Sequence, residues 1–254
     1  MKLAYYDEGV ELTIDGLPPI WLHIGIVIIA FFMTFPLWGR FNATGFIAAG
    51  FVIVGLILSV LAHELGHAVM ARYLGFRATL IRLHAGGGQV ILETDGSTRA
   101  ERRVITIAGP IVNLLLGVAL LLTYHAVMLN SLDPVTPSPE APWFRPPPTA
   151  VPPLFTALLW LGVLNLVWCG VNLLPAFPLD GGNLLYEELD ARYGSYRALF
   201  WTGLLGTAFA IAAKIIFIIG ILMGLVIWPP PYLKPNLQAL RASRQHRQIG
   251  RAHV

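Results

Sequence analysis

Apolar residues occur in five long runs along the chain, and shorter polar stretches separate them. A membrane-spanning helix needs about 20 predominantly apolar residues, so each of the first four runs predicts one crossing. The last run is interrupted only by Lys214 and is long for one crossing but short for two. The pattern predicts an α-helical polytopic membrane protein with five or six transmembrane helices. The runs cover approximately residues 19–39, 46–71, 104–129, 154–174 and 198–228.

The polar stretch 72–103 has a different pattern, because apolar and polar residues alternate imperfectly in two short segments. These segments, 78–84 and 89–93, are separated by the glycine run 86–88. Alternation is typical of strands, and a glycine run is typical of a turn that another backbone can approach closely. The stretch therefore predicts a small membrane-associated β-hairpin. A flexible surface loop is the alternative interpretation.

Three further segments complete the predicted architecture. Residues 130–153 contain nine prolines, which predicts a stiff, extended connection outside the membrane. Residues 183–193 mix charged residues with leucines and predict an amphipathic surface helix. Residues 229–254 form a basic segment, which predicts a disordered C-terminal tail. We therefore expect one transmembrane domain over residues 1–228, which includes the proline-rich loop, followed by that tail.

The composition agrees with a membrane protein. Hydrophobic residues make up 56% of the chain and charged residues only 12%, whereas an average soluble domain has about 25% charged residues. The mean hydropathy is +0.68. The single cysteine, Cys169, excludes an internal disulfide framework. The net charge of +3 is small, and we expect no nucleic-acid partner.

The distribution of arginines predicts the orientation in the membrane. Six arginines occur in residues 72–103, whereas the proline-rich segment contains only Arg145. Because cytoplasmic loops carry an excess of lysine and arginine, the hairpin side and the N-terminus are predicted to be cytoplasmic. The basic tail also favours the cytoplasm, which requires six crossings, whereas the length of the last run favours five.

The second apolar run contains a His-Glu-x-x-His motif, formed by His63, Glu64 and His67. On a helix, residues four apart lie on the same face, about 5–6 Å apart. The two imidazoles can therefore bind one zinc ion, and Glu64 can act as general base toward a water molecule at its open position.

The position of this motif inside an apolar run strengthens the metal hypothesis. A chance His-Glu-x-x-His in a soluble surface helix would carry little information. In a membrane helix, each ionisable side chain costs about 2.5–3.5 kcal/mol on insertion scales. Three clustered ionisable groups need a compensating partner, and a bound metal ion provides one.

A third ligand is predicted where the fourth apolar run breaks. Pro175 and Pro178 must interrupt the helix there. Irregular backbone at membrane depth is tolerated where it is buried in protein or lines a cavity, so Asp180 can turn toward the metal. The alternative interpretation is that Asp180 is a turn residue or the N-cap of the following helix.

Three motifs occur in order along the chain. They are His63-Glu64-Leu65-Gly66-His67, Gly109-Pro110-x-x-Asn113, and Asn172-Leu173-Leu174-Pro175 followed by Pro178-Leu179-Asp180-Gly181-Gly182. Together they resemble the site-2 protease family of intramembrane zinc metalloproteases, over approximately residues 20–190. The chain is similar to a minimal form of the family, because nothing in it resembles a PDZ or CBS domain.

The resemblance implies specific roles. One Zn²⁺ per chain would be bound by His63, His67 and Asp180, Glu64 would be the catalytic base, and Asn172 would contact the substrate or its oxyanion. The glycine segment resembles the family's membrane-associated strand that holds substrate in extended form. Asn113 would be costly in lipid and is expected to face the interior. The predicted substrate-binding residues are therefore Gly86, Gly87, Gly88 and Asn113.

The resemblance implies an intramembrane protease. It would hydrolyse peptide bonds within or near transmembrane segments of membrane-anchored proteins, from a site toward the cytoplasmic face of a bacterial or archaeal plasma membrane. Its expected partners are a membrane-anchored protein substrate, the lipid bilayer and a regulatory membrane partner. The alternative is a metal-binding membrane transporter or sensor with the same ligands and no hydrolysis. A transporter more often shows a repeated broken helix, and the sequence contains no second copy of the proline-interrupted segment.

Overall fold

The computed structural model describes residues 2–6, 8–38, 42–131, 152–223 and 230–252. Most of the predicted proline-rich loop, residues 132–151, lies outside the described residues. Five strands are present: β1 Lys2–Tyr6, β2 Gly9–Thr13, β3 Ile20–His23, β4 Arg77–His84 and β5 Gly87–Glu93. Seven α-helices accompany them: α1 Ile24–Met33, α2 Ala43–Tyr73, α3 Arg99–Ser131, α4 Pro153–Asn172, α5 Asp180–Tyr193, α6 Ser195–Leu222 and α7 Leu233–Ala252.

Four of these helices, in the described part of the chain, are long and apolar enough to cross a membrane. They are α2, α3, α4 and α6. The prediction of an α-helical membrane fold with a small β-hairpin is confirmed, but the count of five or six crossings was too high. The first apolar run is divided between β3 and α1, and α1 has only 10 residues. Such a helix spans about 15 Å, half of a hydrocarbon core of about 30 Å.

The sheet has the strand order β1-β2-β3-β4-β5. The β4–β5 hairpin was predicted from the alternating pattern, and the two strands pair from Arg77 with Glu93 to His84 with Gly87. Its turn lies at residues 85–86, so Gly87 and Gly88 belong to β5 rather than to the turn. β3 pairs with β4 in parallel, whereas the other neighbours are antiparallel. The N-terminal strands therefore extend the hairpin into a larger sheet.

Helix α2 lies at the centre of the molecule and contacts α1, α3, α4, β4 and β5. Asn42 caps its N-terminus by accepting a hydrogen bond from the N–H of Gly45 at 2.8 Å. Buried residues recur along one face of α2 every three or four positions, the helical repeat. They include Val52, Leu56, Ser59, His63 and His67. The stripe that packs the helix into the protein therefore also carries both histidines.

The C-terminal segment forms a helix over Leu233–Ala252, so the prediction of disorder was wrong there, and its described side chains, up to residue 244, include buried ones. Asn236 and Ser243 are fully buried, and Ala239 is nearly so. Helix α7 lies against α6 where Gly203 leaves room for the backbone of Asn236 and the side chain of Leu240. The high charge of the segment indicated disorder, but its apolar face is covered by α6.

Candidate metal centre

Helix α2 presents His63 and His67 on the same buried face, as the spacing predicts. Their Nε2 atoms lie 3.2 Å apart, and only 6% of each residue is exposed. His63 lies 10 residues before the C-terminal end of α2 at Tyr73, a distance of about 15 Å along the helix axis. The histidine pair is therefore well inside an apolar helix rather than at its end.

Asp180 reaches this pair from the interrupted segment between α4 and α5. Its Oδ2 lies 3.2 Å from Nε2 of His63, and its Oδ1 lies 3.5 Å from Nε2 of His67. The N-cap position of α5 is occupied by Leu179, and Asp180 is the first residue of the helix. The carboxylate is thus directed at the histidines, which the N-cap interpretation did not require.

The interrupted segment 173–179 is held against the start of α5 by two glycines. A Cβ on Gly181 would overlap the backbone carbonyl of Leu173, and one on Gly182 would lie 2.5 Å from the carbonyl carbon of Ala176. Only glycine permits this close approach of two backbone segments. Gly181 and Gly182 therefore determine the position of the start of α5, which carries Asp180.

Helix α3 orients one of the imidazoles. Nδ1 of His67 lies 2.8 Å from the backbone carbonyl oxygen of Ile105, in hydrogen-bonding position. When Nδ1–H donates to this carbonyl, Nε2 carries the lone pair that faces Asp180 and His63. A backbone acceptor behind a histidine is the usual arrangement that fixes the tautomer of a metal ligand.

Two further glycines bring backbone directly against the three motif residues. A Cβ on Gly109 of α3 would overlap His67 Nε2 and lie 2.7 Å from His63 Nε2. A Cβ on Gly88 of β5 would overlap Cγ and Oε1 of Glu64. Glu64 itself is only 5% exposed, and the backbone amide of Val90 lies near its carboxylate. The hairpin and α3 therefore form two walls of the site.

One cavity of about 1010 Å³ borders every predicted metal-binding, catalytic and substrate-binding residue. Asn113 is 1% exposed overall, and its side chain faces this cavity from α3, as expected for an amide that avoids lipid. The hairpin glycines 86–88 border the same cavity. The predicted residues on its wall are His63, Glu64, His67, Gly86, Gly87, Gly88, Asn113, Asn172 and Asp180.

The same cavity has wall residues that sequence reasoning missed. Lys214 of α6 and Tyr232, which precedes α7, both border it. Lys214 was identifiable as the only charge in the last apolar run, and an ionisable residue within a membrane helix is by default a functional candidate. Tyr232 gave no such signal, because its place at the cavity depends on tertiary contacts.

The donor set of the three residues fits a zinc ion. One ligand atom from each of His63, His67 and Asp180 lies within 4.8 Å of the other two. Two imidazole nitrogens and one carboxylate oxygen form the three-ligand set of catalytic zinc sites, which keep a further position open for water or substrate. Both imidazoles and the carboxylate are largely shielded from solvent, and a cation bound between them would offset the cost of burying these polar groups.

A row of ion pairs ties α5 to the start of α3. Arg102 donates to Glu187 at 2.6 and 2.9 Å, Arg99 to Asp190 at 2.9 Å, and Arg103 to Glu188 at 2.6 Å. The first turn of α3 also has a capping box, in which Thr98 and Glu101 exchange hydrogen bonds. Because α3 contacts the histidines and α5 begins with Asp180, these pairs fix the helices that meet at the site.

Comparison with known proteins points to one family. Residues 51–138 match the model of peptidase family M50. The chain is 32% identical over 179 residues to a zinc metalloprotease of Methanocaldococcus jannaschii, covering 69% of this chain and 44% of that protein. A relative from Mycobacterium tuberculosis that also carries the name of a zinc metalloprotease is 30% identical over 213 residues, covering 80% of this chain and 48% of the relative. The chain thus spans about half the length of these relatives.

The fold is also similar to a solved structure. The site-2 protease of Methanocaldococcus jannaschii superposes with a TM-score of 0.58 at 24% sequence identity. The superposition covers 93% of this chain and 94% of that one. At this level of identity the likeness shows a shared fold.

Proposed function

Because this chain belongs to peptidase family M50, the site-2 protease family, we propose that it is an intramembrane zinc metalloprotease. It hydrolyses peptide bonds within or near transmembrane segments of membrane-anchored proteins. The observation that supports this proposal is the convergence of His63, His67 and Asp180 on one point beside Glu64, inside an apolar helix bundle. Residues 1–228 form the metalloprotease domain, against which α7 packs.

The proposed roles follow from the geometry. His63, His67 and Asp180 hold the metal ion. A zinc ion so held supplies Lewis-acid activation of water and of the scissile carbonyl. Glu64 accepts the proton of the attacking water and returns it to the leaving nitrogen, which is general acid–base catalysis.

Two asparagines and the glycine segment are the proposed substrate contacts. Asn172 and Asn113 border the cavity and provide side-chain donors for the carbonyl oxygen as it gains negative charge. A substrate helix must unwind before its peptide bond becomes accessible, and its freed backbone groups need new partners in a medium without water. The β4–β5 hairpin provides such partners by strand addition, with Gly86, Gly87 and Gly88 allowing close approach.

The substrate class and orientation complete the proposal. Substrates are membrane-anchored regulatory proteins with a single transmembrane segment, and a second membrane protein regulates access. The arginine-rich side, with the row of ion pairs between α3 and α5, faces the cytoplasm of a bacterial or archaeal cell. The N-terminus is on the same side, and the active site opens toward it.

The proposal is tested by measuring metal and cleavage on the same preparation. Purified full-length protein should contain about one zinc per chain, by elemental analysis, and should cleave some members of a panel of single-span substrates in proteoliposomes. Removal of zinc by a chelator should abolish cleavage, and added zinc should restore it. A His67→Ala variant serves as the metal-deficient control. Transmembrane flux of zinc without cleavage of any substrate would instead assign the chain to the metal-transporter class.

A further inference from the structure

Asn236 of α7 forms a paired set of hydrogen bonds with the interrupted segment before the metal site. Its Nδ2 donates to the backbone carbonyl of Phe177 at 2.7 Å, and its Oδ1 accepts from the backbone N–H of Phe177 at 2.9 Å. Nδ2 also donates to the carbonyl of Tyr232 at 3.2 Å. The residue is completely buried. One side chain therefore satisfies both backbone groups of a residue on a different element.

The contact requires a glycine on α6. A Cβ on Gly206 would overlap the Oδ1 atom of Asn236 and lie 3.0 Å from Cα of Ala176. A Cβ on Gly203 would lie 2.9 Å from the backbone oxygen of Asn236. α6 thus leaves a slot in which the amide of Asn236 reaches the interrupted segment.

Phe177 needs such a partner because it lies between two helices. α4 ends at Asn172 and α5 begins at Asp180, so neither helix satisfies its N–H or C=O group. Buried backbone groups without partners are costly, most of all at membrane depth. Phe177 lies three residues before Asp180 and borders the same cavity. Whatever fixes its backbone also fixes the start of α5.

We propose that Asn236 is a positioning residue for the metal ligand Asp180. Its amide holds the backbone of Phe177, and the short turn from Ala176 to Leu179 transmits this position to the carboxylate. That turn is closed by the N–H of Leu179, which donates to the carbonyl of Ala176 at 2.8 Å. The C-terminal helix is thereby part of the metal centre, although it lies outside the residues matched by the family model. The inference rests on the proposed role of Asp180 as a ligand.

The test compares zinc affinity and ligand geometry in the purified full-length protein. Asn236→Leu removes the hydrogen bonds at similar volume, and Gly206→Ala pushes the same amide out of its slot from another helix. Zinc affinity is measured by competition with a chromophoric chelator, and the Co²⁺-substituted protein gives an absorption spectrum that reports ligand geometry. Both variants should bind zinc about 10–100-fold more weakly, the range found when outer contacts of metal ligands are removed, and should show an altered Co²⁺ spectrum.

Asn165→Leu is the matched control. Asn165 is equally buried and donates to Ser59 Oγ at 2.9 Å and to the carbonyl of Leu161 at 2.8 Å, but these hydrogen bonds lie within α2 and α4 and do not involve the segment 173–180. This variant should lower the melting temperature of the metal-free protein and leave zinc affinity and the Co²⁺ spectrum unchanged.

Two results would overturn the inference. One is wild-type zinc affinity and an unchanged Co²⁺ spectrum in Asn236→Leu, or in Gly206→Ala if the first variant does not fold. The other is an equal loss of affinity in Asn165→Leu, which would show a general effect of destabilisation. Asp180→Ala, measured in the same series, separates this inference from the ligand assignment. If Asp180→Ala keeps full zinc affinity, the assignment of Asp180 as a ligand fails. If Asp180→Ala loses zinc affinity but Asn236→Leu and Gly206→Ala do not, only the role of Asn236 is rejected.

Discussion

Gly88 of β5 lies so close to Glu64 of α2 that no side chain fits between them. A Cβ at residue 88 would overlap the Glu64 side chain, and the backbone amide of Val90, two residues further along β5, lies near the Glu64 carboxylate. The strand therefore confines the proposed base from two sides. The sheet and the transmembrane helix that carries the motif meet at the atom proposed to accept the proton.

Gly88→Ala should abolish most activity and leave zinc bound. The added Cβ must displace the Glu64 side chain, and a misplacement of about 1 Å in a catalytic group costs about 100-fold in rate. The measurement is kcat on a cleaved substrate together with zinc content. Gly50→Ala is the control, because a Cβ there would contact nothing within 4 Å. Normal cleavage by Gly88→Ala would contradict the assigned contact.

Gly109→Ala should have the opposite pattern, with loss of the metal first. Its Cβ would overlap the His67 imidazole and crowd that of His63, so the two rings must move apart. We expect zinc affinity to fall at least about tenfold, in the range for disturbed surroundings of metal ligands, and excess zinc to restore part of the activity. If Gly109→Ala binds zinc normally yet is inactive, α3 acts on substrate rather than on the ligands.

Glu64→Gln should keep the metal and lose hydrolysis. Gln has the same shape but cannot accept the proton, and general acid–base catalysis contributes about 10²–10⁴-fold. Zinc stoichiometry and the rate of cleavage in proteoliposomes are measured on one preparation. A variant that retains both zinc and cleavage would remove Glu64 from the role of base.

Asp190→Asn should lower stability in a pH-dependent way. The pKa of Asp190 is lowered from its ordinary value of 3.8, chiefly by the hydrogen bond from the Ser195 hydroxyl; partial burial opposes this shift and Arg99 adds to it. A lowered folded-state pKa means that the carboxylate stabilises the protein fully above the ordinary value, and that this contribution is lost as pH falls through the folded value.

We therefore expect Asp190→Asn to cost about 1 kcal/mol at pH 7. This corresponds to a fall of about 2–4 °C in melting temperature. The difference from the wild type should narrow below pH 4, as measured by melting temperature in detergent across pH 3–7. A difference that stays constant over this range would show that the loss comes from packing and not from the charge.

The parts of the fold that the sequence predicted are those with local signals. The length and apolar character of α2, α3 and α4 required membrane helices, and alternation around the glycine run indicated the hairpin. The meeting of His63, His67 and Asp180 was predicted because two prolines had to break the helix before Asp180. In each case the signal was local: the length of an apolar run, the alternation of apolar and polar residues, or a proline that cannot continue a helix.

The parts that were missed depend on pairing between distant segments. Residues 20–33 are apolar except for His23, and periodicity alone cannot divide such a run into β3 and α1. The division follows from the parallel pairing of β3 with β4, which no local pattern shows. Helix α7 was missed because its charged residues indicate a solvated chain, whereas Asn236 and Ser243 are buried against α6.

β3 pairs with residues 81–83 of β4, and β5 pairs along its other side. The hairpin beside Glu64 therefore offers an incoming peptide the outer edge of β5, with which no further strand pairs in the described part of the sheet. A peptide paired with β5 should shift its register by two residues at a time, because a shift of one residue turns every side chain to the opposite face. Secondary cuts in one substrate should then be separated from the main cut by even numbers of residues. The pairing register on the edge of β5 would thus determine which peptide bonds of the substrate can be cleaved.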